Sequence, residues 1–361
     1  MKIYDAPYAQ AKHIQSEKHI RNHVYDIKLF MQLIFPLLTV LAFFTCSPSD
    51  KNVKQDNTVL TLLTKIELPN VTGRIDHIAY DSIKNLAFVA ALGNNSVEVV
   101  NIHTKQVIHS IKGVKAPQGL AYIPSLNKLV VANDGDGTVK FFDMNSYTLL
   151  AEIDLKDDAD NIRYDAEKNL IYAGYGSGGI AIIDAISMKQ KATILLDGHP
   201  ESFQIDQKQN RLYINVPDAN EIEVASLNSS SIIAKWKITA ASSNFPMALD
   251  TVNNRLFIGC RIPPSIKIID TRTGKDIASV KCSGDADDLF YTNNLLFISA
   301  GKGYIDAFKT NDTTLTQISH MATSDGARTS LLLTSEKRLL LAVPARNNNS
   351  AALWLFKVTI K

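Results

Sequence analysis

One unit recurs seven times between Val59 and Lys361, and few folds can accept that pattern. Each unit runs through a short apolar segment, a turn with Asn or Asp, a stronger apolar strand, a Gly/Asn turn, a third strand ending near Asp, and a fourth strand. The second strand is the easiest to follow: LAFVAAL from Leu86, KLVVAND from Lys128, LIYAGYG from Leu170, RLYINVP from Arg211, RLFIGCR from Arg255, LLFISAG from Leu295 and RLLLAVP from Arg338. Aligning first strands on Asp76, Gln118, Asp160, Glu201, Phe245, Asp287 and Thr329 spaces the repeats by 42, 42, 41, 44, 42 and 42 residues. Four strands of this length make a propeller blade, and no stretch has helical periodicity long enough to compete. The seventh repeat stops after its third strand. VLTLLTKIELP, Val59 to Pro69, is therefore expected to supply the fourth and close the ring, because an unpaired edge is a liability that closure removes. The sequence thus predicts an all-β chain in which residues 58–361 form one seven-bladed β-propeller of four-stranded antiparallel blades.

The repeats carry a family likeness. APQGLAYIPSLNKLVVANDGDGTVKFFDMNSYTLL (Ala116 to Leu150) resembles the YVTN-type repeat of YncE-like propellers, which runs P-x-G-[IV]-A, then a Y-V-[AT]-N strand, then a T-V-S-V-I-D strand. SIKIIDTRTGKDIASV (Ser265 to Val280) is similar to its second half, and the resemblance spans all seven repeats. It implies the propeller fold of the wider WD40-like and quinoprotein-like superfamily and an extracytoplasmic location, but no single activity. WD dipeptides are absent, and Trp236 and Trp354 are too few for the stacked tryptophans of quinoprotein propellers.

Ahead of the repeats, Leu29 to Cys46 reads LFMQLIFPLLTVLAFFTC without a charge, then gives way to Ser47-Pro48-Ser49-Asp50. At about 17 residues the run is at the lower limit for spanning a bilayer and suits a signal-peptide core. Lys18, Arg21 and Lys28 precede it, so the positive-inside rule sends the C-terminal part of the chain across the membrane. The segment resembles a bacterial lipoprotein signal in which Cys46 would be acylated, with Phe43 where Leu is usual and Thr45 where a small residue is usual. An uncleaved anchor is the alternative. Residues 1–46 are expected to be this signal or anchor, starting at Met1 or Met31, and residues 47–57 a polar tether. The expected location is periplasmic or cell-envelope, with membrane contact through the N-terminal segment alone.

Composition narrows the function classes. With 38 basic and 36 acidic residues, the net charge of +2 gives no general attraction to nucleic acid or anionic lipid. The three cysteines form no C-x-x-C or C-x-x-C-H, which excludes a zinc ribbon, a thioredoxin-type site and a covalent c-type haem. Cys260 and Cys282 lie near the ends of the second and fourth strands of repeat five. The strand between them should hold the backbones about 9.5 Å apart, too far for a disulfide. Gly174 to Gly179 satisfies G-x-G-x-x-G but leads into the strand IAIID, where a dinucleotide site needs a helix. Asn133 to Gly137 sits at the equivalent hairpin and lacks the glutamate and helices of a calcium-binding EF-hand.

One surface stands out. Strand direction alternates, so first-strand starts and second-to-third hairpins share the face where the central channel opens. Around that mouth the repeats place Arg74, Asp76, His77, Gln118, Asp160, Asn161, His199, Glu201, Asp285, Asp287, Asp288 and Arg328, where the YVTN pattern expects mainly Pro and Gly. Converging carboxylates repel, which raises their pKa values unless a cation or arginine compensates. Asp76, Glu201 and Asp287 are candidate ligands for a divalent cation, while Arg74 and Arg328 suit the grip of a polar ligand. Neutralising Asp76 and Asp287 together is expected to abolish binding and leave folding intact or improved. The bland reading is a wet mouth whose Asp and Ser residues cap turns.

The leading expectation is a lipid-anchored or secreted propeller that binds a small polar ligand or a protein partner at the mouth without catalysis. The alternative is a metal-dependent lyase or lactonase with His77 or His199 as general base. A third possibility is a non-covalent tetrapyrrole site like that of d1-haem propellers, which use channel histidines.

Overall fold

The computed structural model describes residues 59–359. The expected signal or anchor segment, Cys46 and the 47–57 tether lie outside the described residues.

Local chemistry sets the strand boundaries. Four inner strands end on an aspartate, Asp81, Asp165, Asp206 or Asp250, whose carboxylate accepts backbone N–H groups just downstream. Four residues later Asn85, Asn169, Asn210 and Asn254 adopt left-handed backbone with φ between +53° and +56°. Asparagine tolerates that conformation, so D-x-x-x-N is a complete turn that launches the second strand.

These turns generate seven four-stranded antiparallel sheets, the blades of a propeller. In blade one the strands from the channel outward are Ile78–Asp81, Leu86–Ala91, Ser96–Asn101 and Gln106–Ile111. Blades two to six repeat this order with consecutive strands. Blade seven is composite: Ser330–Leu333, Arg338–Val343 and Ala352–Val358 are followed outward by Leu60–Glu67 from the far end of the described chain. Leu60 pairs with Val358 and Glu67 with Ala352, so the ring closes as the sequence predicts.

Cohesion lies between blades. Phe88 of blade one packs with Leu129, Val131 and Phe142 of blade two, and comparable clusters fill the other interfaces. The closing segment serves two of them: Leu60 joins Phe297 and Ile305 of blade six, while Ile66 and Leu68 join Ala87 and Val89 of blade one.

The misleading motifs are hairpins. Gly174 to Gly179 joins the strands Leu170–Tyr175 and Gly179–Asp184. In the Asn133 hairpin, the Asp136 carboxylate is occupied by Thr138 and Lys140. Cys260 faces Ser265, which faces Lys281, so a strand separates Cys260 from Cys282 and both remain free thiols.

Candidate functional site

A distortion of the inner strands aims the mouth residues. In blades two, three and five the pairing jumps from Pro117–Asn133 to Leu120–Val131, from Ala159–Tyr175 to Ile162–Ala173, and from Asn244–Cys260 to Met247–Ile258. In blade one the Asp76 N–H donates to the Ala90 carbonyl (2.7 Å) while the Ala90 N–H donates to that of His77 (3.0 Å). Blade four does the same with Glu201, Asn215 and Ser202, and blade six slips at Asp287. Such a bulge sets two residues against one and re-aims a side chain. Hence Asp76, Asp160, Glu201 and Asp287 line a small mouth cavity together with Arg74 and Asn161. His77 and Ser202 line both that cavity and the channel beneath, which Asp288 and Ser330 also face. The mouth cavity measures about 20 Å³, room for roughly one water, and the channel about 510 Å³.

Ion pairs knit this layer together. Arg74 lies 2.5 Å from Asp76 Oδ2, out of line for a hydrogen bond, and reaches the Gln118 amide oxygen at 3.5 Å. Gln118 donates onward to Asp158 at 3.5 Å. His77 sits between Asp76 (3.6 Å) and Asp288 (3.7 Å), and Asp288 accepts the Ser330 N–H at 2.6 Å. On the other side Asp287 is held by Arg261 (2.5 Å) and Arg328 (2.9 Å), and Arg328 also takes Asp285 (3.1 Å). A Cβ on Gly301 would lie 2.0 Å from Asp285 Oδ2, so that glycine makes the room this carboxylate occupies.

His199 and Glu201 complete the ring. The His199 Nδ1–H donates to the Gly176 carbonyl at 2.7 Å, which turns Nε2 toward Asp160 at 3.8 Å. Ligand atoms of Asp160, His199 and Glu201 all lie within 4.8 Å of one another. Among the described residues the Glu201 carboxyl has no hydrogen bond or ion pair. Burial pushes its pKa up to about 8, helped by repulsion from Asp160 and Asp287. Burial also lifts Asp287 to about 6 despite Arg328, and raises Asp76 despite His77 and Arg74. The Asp160 carboxylate raises His199 to about 9. For His77, burial opposes the proton, but Asp288, Asp76 and Asp160 together outweigh it and bring the ring to about 10.

The mouth residues expected from the sequence gather at this face in two bonded groups, one running through Arg74, Asp76, Asp160 and His199 and the other through Asp285, Asp287 and Arg328. Glu201 is bonded to neither, and Asp288 lies one layer deeper than Asp287. The proposed cation ligands are not alike: Asp76 and Asp287 are engaged by arginines, whereas Glu201 belongs to the trio with Asp160 and His199. Arg74, Arg261 and Arg328 compensate in part, yet the carboxyls of Asp76, Glu201 and Asp287 still stand above their ordinary values, as converging carboxylates were expected to. Neutralising Asp76 and Asp287 together would strip partners from three arginines, so improved folding is no longer the expected result.

Two cations escaped the sequence reading. Arg261 is the penultimate residue of the second strand of blade five, Arg255–Ile262; it stacks 3.6 Å over Phe245 and caps the Ala286 carbonyl at 3.0 Å. Its place beside a second-to-third hairpin marked it as a mouth residue. Arg163 donates to the Ile162 carbonyl (2.8 Å) and to Ser202 (3.2 Å). It is the one charge at its aligned first-strand position, the others being Ala79, Ala121, Gln204, Ala248, Phe290 and Leu332.

No known protein family matches the sequence, and no curated protein does. Solved structures do. Hydrazine synthase of Kuenenia stuttgartiensis superposes with a TM-score of 0.71 at 14% identity, covering 81% of this chain and 98% of that one. A chain of the mitotic checkpoint complex superposes with a TM-score of 0.70 at 16% identity, covering 88% and 98%. At these identities the likeness carries the propeller fold alone.

Proposed function

We propose that this chain is an extracytoplasmic, YncE-like propeller that captures a small polar ligand at the channel mouth without turning it over. The observation that carries the reading is Glu201, a largely buried carboxyl without a partner in a layer where the other acids are paired. It stands with Asp160 and His199 beside a cavity of one-water size. His199 spends its Nδ1–H on a backbone carbonyl and turns Nε2 inward, the outer-shell arrangement that orients metal-binding histidines. With the His199 and Glu201 protons displaced on binding, the trio suits a divalent cation with nitrogen and oxygen ligands, while its carboxylates also suit the protonated amine of a small molecule.

The competing readings gain less. A lyase or lactonase using His77 as its base needs that ring neutral, and Asp288, Asp76 and Asp160 hold its proton up to about 10. A tetrapyrrole needs an axial ligand. Among the described residues His77 is the histidine on the channel wall, and both its nitrogens face carboxylates.

Thermal unfolding with zinc, manganese and a set of small primary amines tests the mouth. One of these should raise the melting temperature of the wild type by several degrees and leave Glu201→Gln and Asp160→Asn unmoved. Equal responses in all three proteins, or none in any, would remove the ligand reading. The anchor is tested separately: fatty-acid label should enter the full chain but not Cys46→Ser, and equal labelling would leave the uncleaved anchor.

A further inference from the structure

Blade four carries a second acidic group, away from the channel. Glu221 and Glu223 alternate along the strand Glu221–Ser226, so their side chains leave the same face, and both residues are buried (1% and 0% exposed). Asp197 comes from the connection after the strand Lys189–Leu195, the outer strand of blade three. Each of the three offers a carboxylate oxygen within 4.8 Å of the others. Lys237 lies 2.8 Å from Glu221 Oε2, Lys235 contacts Asp197 and stands 3.8 Å from Glu223 Oε1, and the Asp197 N–H donates to the same Oε1 at 2.8 Å.

Two acceptors are left over. Glu221 Oε1 and Glu223 Oε2 are buried from solvent and have no hydrogen-bond partner. A buried carboxylate oxygen in that state is costly, and a cation placed between the two would offset the cost. Other blades show how little an inter-blade tether needs. At the position of Glu223, blades two and five carry Lys140 and Lys267, which donate to the carbonyls of Gly113 (2.8 Å) and Thr239 (2.9 Å). Blades one and six carry buried acids there, Glu98 and Asp306, but serine hydroxyls hold Glu98, the Ser283 N–H and His320 hold Asp306, and neither leaves a buried oxygen without a partner. At the position of Glu221, blades one, two and five carry Ser96, Thr138 and Ser265. A tether alone does not explain two stacked glutamates.

We propose that Asp197, Glu221 and Glu223 bind a hard divalent cation, calcium being the one an all-carboxylate site suits. The ion takes the unpartnered oxygens of both glutamates and the outward carboxylate of Asp197, with water filling the remaining positions. It also ties down the connection that carries His199 and Glu201, so it orders one side of the mouth. The inference stands independently of any ligand bound there.

Equilibrium dialysis of the whole protein against radioactive calcium tests it. One ion per chain should bind with a dissociation constant of about 0.1–1 mM, the range of extracellular calcium modules. Asp197→Asn and Glu221→Gln should each weaken binding at least ~10-fold, and Asp154→Asn, on the exposed outer strand of blade two, should leave it unchanged. The Asp197 side chain is 56% exposed, so its asparagine variant tests the site without a folding penalty. No saturable uptake up to about 10 mM would overturn the proposal. So would uptake indifferent to both variants, or uptake lost in Glu201→Gln alone, which would put the ion at the mouth.

Discussion

A chain lacking residues 47 to 69 should melt at least ~10 °C below one lacking residues 47 to 57, or lose its cooperative transition altogether. The longer deletion removes the outer strand of blade seven and exposes the edge of Ala352–Val358. Leu60, Ile66 and Leu68 are fully buried in the interfaces with blades six and one. At roughly 1.5–3 kcal/mol for each such side chain, their loss costs about 5–9 kcal/mol as an upper estimate, before the ladder hydrogen bonds are counted. The bared edge also offers unpaired N–H and C=O groups to another chain, so light scattering should rise with protein concentration in the longer deletion alone. Equal melting of the two chains would mean that closure contributes nothing to stability.

The closing strand was legible because a repeat count leaves a remainder. Seven second strands and a seventh repeat cut short require a strand from elsewhere, and the only apolar alternation left was VLTLLTKIELP. The turns were legible for a similar reason: Asp and Asn at fixed spacing encode both the hydrogen bond and the left-handed residue. The mouth was legible as a set of positions but not as a set of partnerships. Repeat alignment ranks residues by height along the channel, and the bulges preserve that ranking while deciding which of Asp287 and Asp288 meets the mouth cavity. Which acid meets which arginine depends on side-chain reach across neighbouring blades, and alignment carries no such information. Arg261 shows the gap: it lies near the end of an ordinary strand, RLFIGCR, and only the fold reveals that it spans to Asp285, Asp287 and Phe245. The compensating arginine that the sequence allowed for is, at that residue, one the alignment had not named.

Replacing Arg261 by methionine should destabilise the propeller by about 2–4 kcal/mol near pH 8, and by much less near pH 5. Arg261 and Arg328 hold the Asp287 carboxylate between them, and the Arg261 side chain is 20% exposed, so solvent screens the pair only in part. Even with both cations in place, burial and the neighbouring Asp76 and Asp288 lift Asp287 from its ordinary 3.8 to about 6. Losing one cation must lift it further. The folded variant then keeps a proton that the unfolded chain has already released, so its stability falls as pH rises through that window. Above the window the carboxylate is ionised and short of one partner, and the full cost is felt. Below it Asp287 is protonated in both proteins, and the variant loses the cap on Ala286, the stack on Phe245 and the longer contact to Asp285. Urea unfolding of the wild type and variant from about pH 5 to pH 8 reads the difference directly. The double variant Arg261→Met, Asp287→Asn separates charge from packing: its gap from the wild type should vary less with pH than that of the single variant. A gap of constant size across the range would show that Arg261 acts through packing, with no part in holding the mouth charge.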